Sequence, residues 1–147
     1  MRVVIQRVKE AQVVVAGEIV GYIARGMLIF LGVARDDSRT CADYLVKKIT
    51  ELRIFEDAQG KMNVSAREAL AQFLVVSQFT LYGNCDKGRR PSFDQAADPA
   101  QGEALYNYFV QQLKATGSEV QTGQFKAMMD VSLINDGPVT FVIDSKG

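Results

Sequence analysis

Two nearly continuous apolar runs, "GMLIFLGVA" (Gly26 to Ala34) and "AQFLVV" (Ala71 to Val76), constrain this chain more than any other feature. Each is too short to span a bilayer. Each reads instead as a buried strand, the first of them central to a sheet. The segments before them supply more strand. "RVVIQRV" (Arg2 to Val8), "AQVVV" (Ala11 to Val15) and "EIVGYI" (Glu18 to Ile23) are β-branched, and Ala16-Gly17 is a short hairpin signal.

Helices are expected at two places. Asp36-Asp37-Ser38 offers N-caps for a helix to about Leu52, with Cys41, Leu45, Ile49 and Leu52 forming one apolar stripe. Asp98 as N-cap, Pro99 at the first helical position and Gln101 completing a capping box start a second helix. It runs to about Ala115 and buries Leu105, Phe109 and Leu113. "RIFEDAQGKMN" reads as a short strand and a turn at Asp57 to Gly60. "AQFLVVSQFTL" is a strand, and Tyr82 to Ala97 is a loop. Two strands, Gln124 to Ile134 and Val139 to Asp144, close the chain around "NDGP". In the first of them Phe125, Ala127, Met129, Val131 and Leu133 alternate with more polar neighbours, apart from Met128. Residues 1–147 then form a single α+β domain whose mixed sheet is large enough to curl or close.

Composition narrows the chemistry. Hydrophobic content of 48% and charged content of 23% are globular values. There is no signal peptide, and two isolated cysteines make neither a disulfide framework nor a metal motif, so a reducing, cytoplasmic setting is expected. Formal net charge is zero, which speaks against a basic-stripe nucleic-acid binder while leaving room for a local patch. The chain has no histidine. Every Ser-His-Asp or Cys-His arrangement is excluded with it, as is any zinc site that needs imidazole.

Three stretches carry marked residues. "SQFTLYG" (Ser77 to Gly83) ends an apolar strand with hydroxyls and an amide. Ser77 and Thr80 share a pocket only if the strand bulges or ends between them. Thr80 as a nucleophile needs a base, and the segment supplies none. A polar strand end satisfied by backbone or water is the plainer reading. "NDGPVT" (Asn135 to Thr140) reads as a hairpin turn, with a trans Gly137–Pro138 bond favoured and a cis bond the sharper alternative. "KGRRPSF" (Lys87 to Phe93) is the densest basic cluster: a solvated loop, or a contact to a few phosphates. Met128 and Met129 read as packing residues.

Taken together and in this order, these stretches resemble the D-aminoacyl-tRNA deacylase family. The resemblance covers essentially the whole chain: "IQRV", "RIFEDAQGKMN", "LVVSQFTLYG", "KGRRPSF", "ALYNYFV" and "VSLINDGPVT". "SQFT" paired with "NDGPVT" is its most specific part. The resemblance implies a small β-barrel-like α+β domain with two main helices, forming a homodimer with aminoacyl-tRNA as its partner and no membrane. It implies hydrolysis of the ester of D-aminoacyl-tRNA, and of glycine mischarged on tRNA, with L-aminoacyl-tRNA rejected. No cofactor and no metal are expected.

By the same resemblance Ser77 and Gln78 line the aminoacyl-adenosine pocket, with Phe125 and Met129 as further substrate contacts. Gly137–Pro138 is expected to be cis and to enter the partner subunit's site. There its carbonyls hold the α-amino group and leave no room for an L side chain. Lys87, Arg89 and Arg90 become tRNA contacts. The backbone N–H groups of Phe79 and Thr80 are the candidate oxyanion donors, with the substrate's 2′-hydroxyl assisting; Thr80 as nucleophile ranks second. A noncatalytic dimeric RNA-binding module and a Ser/Thr hydrolase of small esters are the competing readings.

Overall fold

The structure, a computed structural model, describes residues 1–145. Its organising element is β1 (Arg2–Val15), a single strand of 14 residues where two were expected. Lys9 and Glu10 are exposed between the two apolar halves, but no glycine or proline breaks the chain there. The strand instead continues and changes partners. Residues Arg2 to Val8 pair antiparallel with β3 (Gly26–Gly32), and Ala11 to Val15 pair antiparallel with β2 (Glu18–Ile23). Register shifts on its other side fall between Gln6 and Val8 and between Val8 and Glu10. Such bulges bend a sheet, and this one curls.

The two long apolar runs are apolar throughout because both faces are covered. β3 pairs parallel with β6 (Gln72–Ser77), and β6 pairs parallel with β7 (Val120–Thr122). Ile29, Leu31, Phe73 and Val75 pack on one side beneath α1 (Arg39–Glu51) and α3 (Pro99–Ala115). Leu28, Leu74 and Val76 point the other way, joining Val8, Ala11, Val13 and Ile23 inside the curl. The curl is tight enough that a Cβ on Gly21 of β2 would collide with the Thr122 carbonyl of β7. The result is a nearly closed, barrel-like mixed sheet with the helices on one face.

α1 buries Leu45 and Ile49 fully, with Cys41 and Leu52 half-buried at the ends of the stripe. α3 buries Leu105, Phe109 and Leu113 as expected, and Tyr106 and Val110 as well. Asp98 caps it by accepting from the Gln101 amide at 2.9 Å. The capping box does not close: the Gln101 side chain donates to the carbonyls of Arg35 and Asp37, 3.0 and 3.3 Å away. Phe55–Glu56 (β4) pairs with Met62–Val64 (β5) around the expected turn. The short α2 (Ala66–Ala69) follows, with a Ser65/Glu68 capping box of its own.

Three further expectations are corrected. The strand through "SQFTL" stops at Ser77, and Phe79–Tyr82 form a 3-10 turn. The strand expected from Gln124 begins only at Asp130; the preceding residues turn, with Ala127 N–H donating to the Gln124 carbonyl and Lys126 at φ +66°. "NDGP" makes no hairpin, because β8 (Asp130–Asp144) runs straight through it along β1. The pairing jumps from Val8↔Asn135 to Gln6↔Thr140, so 136–139 bulge out opposite Arg7 alone. Pairing with β1 on both sides of the bulge overrides the turn propensity of the residues.

Candidate functional site

The end of β6 at Ser77 is what makes a site. Beyond it the chain turns across the mouth of the curl, where a cavity of about 670 Å³ opens. Ser77, Gln78 and Phe79 form one wall. Phe125 and Met129, from the turn before β8, form the opposite wall with Val131. Phe93 closes an end by meeting Phe79 edge-on, ring centroids 5.1 Å apart. A cavity of this size, mostly apolar with a few polar groups, falls in the range of small-molecule sites.

Thr80 does not line the cavity; it is exposed on the turn beside it. Its hydroxyl meets the Gln78 side-chain amide at 2.5 Å, and no carboxylate or amine among the described residues lies within hydrogen-bond distance of it. The backbone of the same turn is better placed to act. Gln78 N–H donates to the Leu31 carbonyl, Leu81 N–H to Gln78 and Gly83 N–H to Thr80. Among the described residues no such acceptor takes the N–H of Phe79 or of Thr80. Two adjacent unfilled donors at the start of a turn are a ready place for a developing negative charge. Tyr82, at the other end of the turn, has its hydroxyl pushed up to about 12, by burial first and by the nearby Asp37 charge second.

The Gly137–Pro138 bond is cis, and both residues are exposed. They do not line the chain's own cavity. In the sheet they lie across β1 and β3 from β6. The bulge that carries them rests on Arg7, which is only 3% exposed. Arg7 donates to the Ile54 carbonyl at 2.7 Å and to the Asp136 carbonyl at 3.3 Å, and pairs with the Asp136 carboxylate at 3.2 Å. The sequence reading missed Arg7. Its signal was available: Val3, Ile5 and Arg7 share one strand face, so a cation falls where burial is expected.

Lys87, Arg89 and Arg90 are exposed at the tip of a loop whose base is closed by paired bonds between Asn84 and Ser92, 2.7 and 2.8 Å. The tip is outside the cavity; the same loop brings Phe93 into it. Also missed were Asp98, Pro99 and Gly102, which set the first turn of α3 at the cavity edge, and Lys126 on the facing turn. Helix capping explained Asp98 and Pro99 fully in the sequence, so nothing there marked a second role.

Comparison with known proteins shows the family and the fold. A family model described as D-Tyr-tRNA(Tyr) deacylase matches residues 4–144. The chain is 57% identical over 145 residues to a D-aminoacyl-tRNA deacylase of Geobacter metallireducens, covering 99% of this chain and 96% of that protein. It is 54% identical over 146 residues to one of Symbiobacterium thermophilum, covering 99% and 97%. Among solved structures it is similar to the c-Myc DNA Unwinding Element Binding Protein, with a TM-score of 0.94 at 39% identity over 100% of both chains. A probable eukaryotic D-amino acid tRNA deacylase shares the fold at a TM-score of 0.84 and 20% identity, over 97% of this chain and 98% of that one. With a family match over residues 4–144 and this level of identity over nearly its whole length, the chain belongs to the D-Tyr-tRNA(Tyr) deacylase family.

Proposed function

We propose that this chain hydrolyses the ester joining a D-amino acid to the 3′ end of tRNA. The observation that carries the reading is the cavity in which Ser77, Gln78 and Phe79 face Phe125 and Met129 beside two unfilled amides. An aminoacyl ester is already an activated acyl group. A water adds to its carbonyl carbon, the Phe79 and Thr80 amides hold the oxyanion, and the bond to the ribose oxygen then breaks. As it breaks, that oxygen takes up, by way of the vicinal 2′-hydroxyl, the proton the water gives up. Free amino acid and intact tRNA are the products, and no side-chain base is required. That matches a chain without histidine, in which no base among the described residues reaches Thr80.

Chiral selection on this reading comes from a second copy of the chain. Gly137–Pro138 is exposed and outside its own cavity, so it is free to enter a partner's. The same strand exposes Ile134 at 50% and Val142 at 64%, apolar area that a homodimer interface would cover. A filter that reads the α-carbon passes glycine, which has no Cβ to reject, and tolerates many D side chains. Glycine removal and translational proofreading follow from that geometry. Lys87, Arg89 and Arg90 would meet tRNA phosphates from the loop tip, with affinity that falls as salt rises. No helix among the described residues is long and apolar enough to cross a membrane. On this reading the activity is cytoplasmic, where tRNA is charged. Residues 1–147 act as one domain in this account.

The test is a paired assay of D-tyrosyl-tRNA and L-tyrosyl-tRNA at matched protein concentration. The expected outcome is rapid loss of the D ester beside an unchanged L ester. Equal loss of both leaves an esterase without a filter, and loss of neither leaves a tRNA-binding module. Thr80→Ala is expected to retain deacylation within about fivefold, the scale of a lost neutral hydrogen bond. Abolished activity with the fold intact would restore Thr80 as the nucleophile.

A further inference from the structure

An oxyanion site made of two backbone amides has no side chain of its own to fix it. Its accuracy is that of the 3-10 turn, and a displacement of about 1 Å costs on the order of a hundredfold in rate. One rung of the sheet seats this turn. Gly32, Arg2 and Asp144 are partners across β3, β1 and β8. A Cβ on Gly32 would lie 3.0 Å from Leu81 Cβ, 3.1 Å from the Gln78 carbonyl and 3.2 Å from Tyr82 Cδ2. The bare glycine is therefore a notch into which the turn settles.

Arg2 stands beside the notch and reaches up to the turn. Its Nη1 donates to the Leu81 carbonyl at 3.0 Å, and its Nε donates to Asp144 Oδ1 at 2.7 Å. The guanidinium carbon lies 5.0 Å from the centre of the Tyr82 ring. Among the described residues the Leu81 carbonyl receives no backbone amide, so Arg2 is its partner. The Arg2–Asp144 ion pair leaves side chains 36% and 47% exposed, a setting in which such pairs add little stability. What the pair does is orient: with Nε held by Asp144, the planar fork can point Nη1 in one direction only.

We propose that Arg2, aligned by Asp144, is a positioning residue for deacylation, holding the Phe79–Tyr82 turn so that its leading amides stay aimed at the reacting ester. It touches no substrate and acts through Leu81 and Tyr82. The inference rests on the deacylase reading and on the amides as oxyanion donors. It predicts that loss of Arg2 affects the chemical step and leaves substrate binding nearly intact.

The experiment compares steady-state deacylation of D-tyrosyl-tRNA by the full-length chain, Arg2→Ala and Arg2→Lys, with a thermal melt of each. Arg2→Ala is expected to lower kcat by about tenfold or more while KM stays within about twofold. Arg2→Lys should fall between the two, since a lysine reaches the Leu81 carbonyl without the fixed fork. A wild-type kcat in Arg2→Ala, or a loss that only follows the folded fraction, would overturn the proposal. If Arg2→Ala does not fold, Arg2→Lys decides: lowered kcat at unchanged KM supports it, and wild-type kcat overturns it. An inactive wild-type chain would overturn the deacylase reading and the role of Arg2 together, whereas an active wild type matched by Arg2→Ala overturns only the latter.

Discussion

The segments Ser77–Gly83 and Asn135–Thr140 are both places where the chain leaves its sheet, and they leave in opposite senses. The first ends a buried strand and turns across the chain's own cavity, seated on Gly32. The second interrupts no strand; it bulges from β8, stands exposed and lies outside that cavity. Each is held by an arginine of β1, Arg2 at the turn and the buried Arg7 at the bulge. The contrast teaches that two polar stretches on one sheet can be built differently, one lining a cavity and the other standing clear of it. One segment is built as a receptacle and the other as a projection.

Breaking the anchor of the projection should have the largest effect. Arg7→Ala would leave the Ile54 carbonyl without its donor, unpair the partly exposed Asp136 carboxylate and remove a packed stem, at a cost of about 2–4 kcal/mol. Chemical denaturation measures it, and a change under about 1 kcal/mol would show that Arg7 does not carry the bulge. Filling the notch attacks the receptacle. Gly32→Ala forces its Cβ against Leu81 and the Gln78 carbonyl, and should cost roughly 1–3 kcal/mol and lower deacylation by about ten- to a hundredfold. Gly137→Ala should separate function from fold. Its Cβ would meet only Asn135 Nδ2 at 3.4 Å, so stability should hold within about 0.5 kcal/mol while D-ester turnover or chiral selectivity drops by about tenfold. Unchanged rates on both enantiomers would remove this residue from the filter.

A pH asymmetry is confined to alkaline conditions. Burial pushes Tyr82 and Tyr106 up to about 12, and the Tyr106 hydroxyl donates to the Val75 carbonyl beneath β6. Both belong to the receptacle side. Their folded values lie above the unfolded value of 10.0, so the unfolded chain loses these protons first. Stability from them is complete below pH 10.0 and declines as pH rises towards about 12, by about 2 kcal/mol for the more buried Tyr106. Tyr106→Phe should flatten that decline in an alkaline denaturation series; an unaltered slope would contradict the assignment.

The same contrast explains what could be read from the sequence. Gly26–Gly32 and Gln72–Ser77 were legible because burial on both faces leaves no polar alternation to misread. The 3-10 turn was not, since Phe79 and Leu81 continue the strand's own period. Gln124–Met129 deceived in the same way: alternate residues are half-buried and exposed, but along a turn and not a strand. At Asn135–Pro138 local turn propensity pointed to a hairpin, and the long pairing with β1 decided otherwise. Ser77, Gln78, Phe79, Phe125 and Met129 do meet at one cavity. Phe93 and Gly102 join them only through tertiary contact, for which no local pattern exists.

The proposed pairing of one copy's receptacle with another copy's projection can be tested directly. Gly32→Ala and Gly137→Ala chains, carrying different tags, can be co-expressed and purified as mixed dimers. In such a dimer one of the two sites draws an intact cavity from one chain and an intact Gly137–Pro138 from the other. Its D-tyrosyl-tRNA deacylation should recover to about half the wild-type rate, well above either parent dimer. A mixed dimer no more active than its parents would mean that each site is completed within its own chain, and would contradict the account.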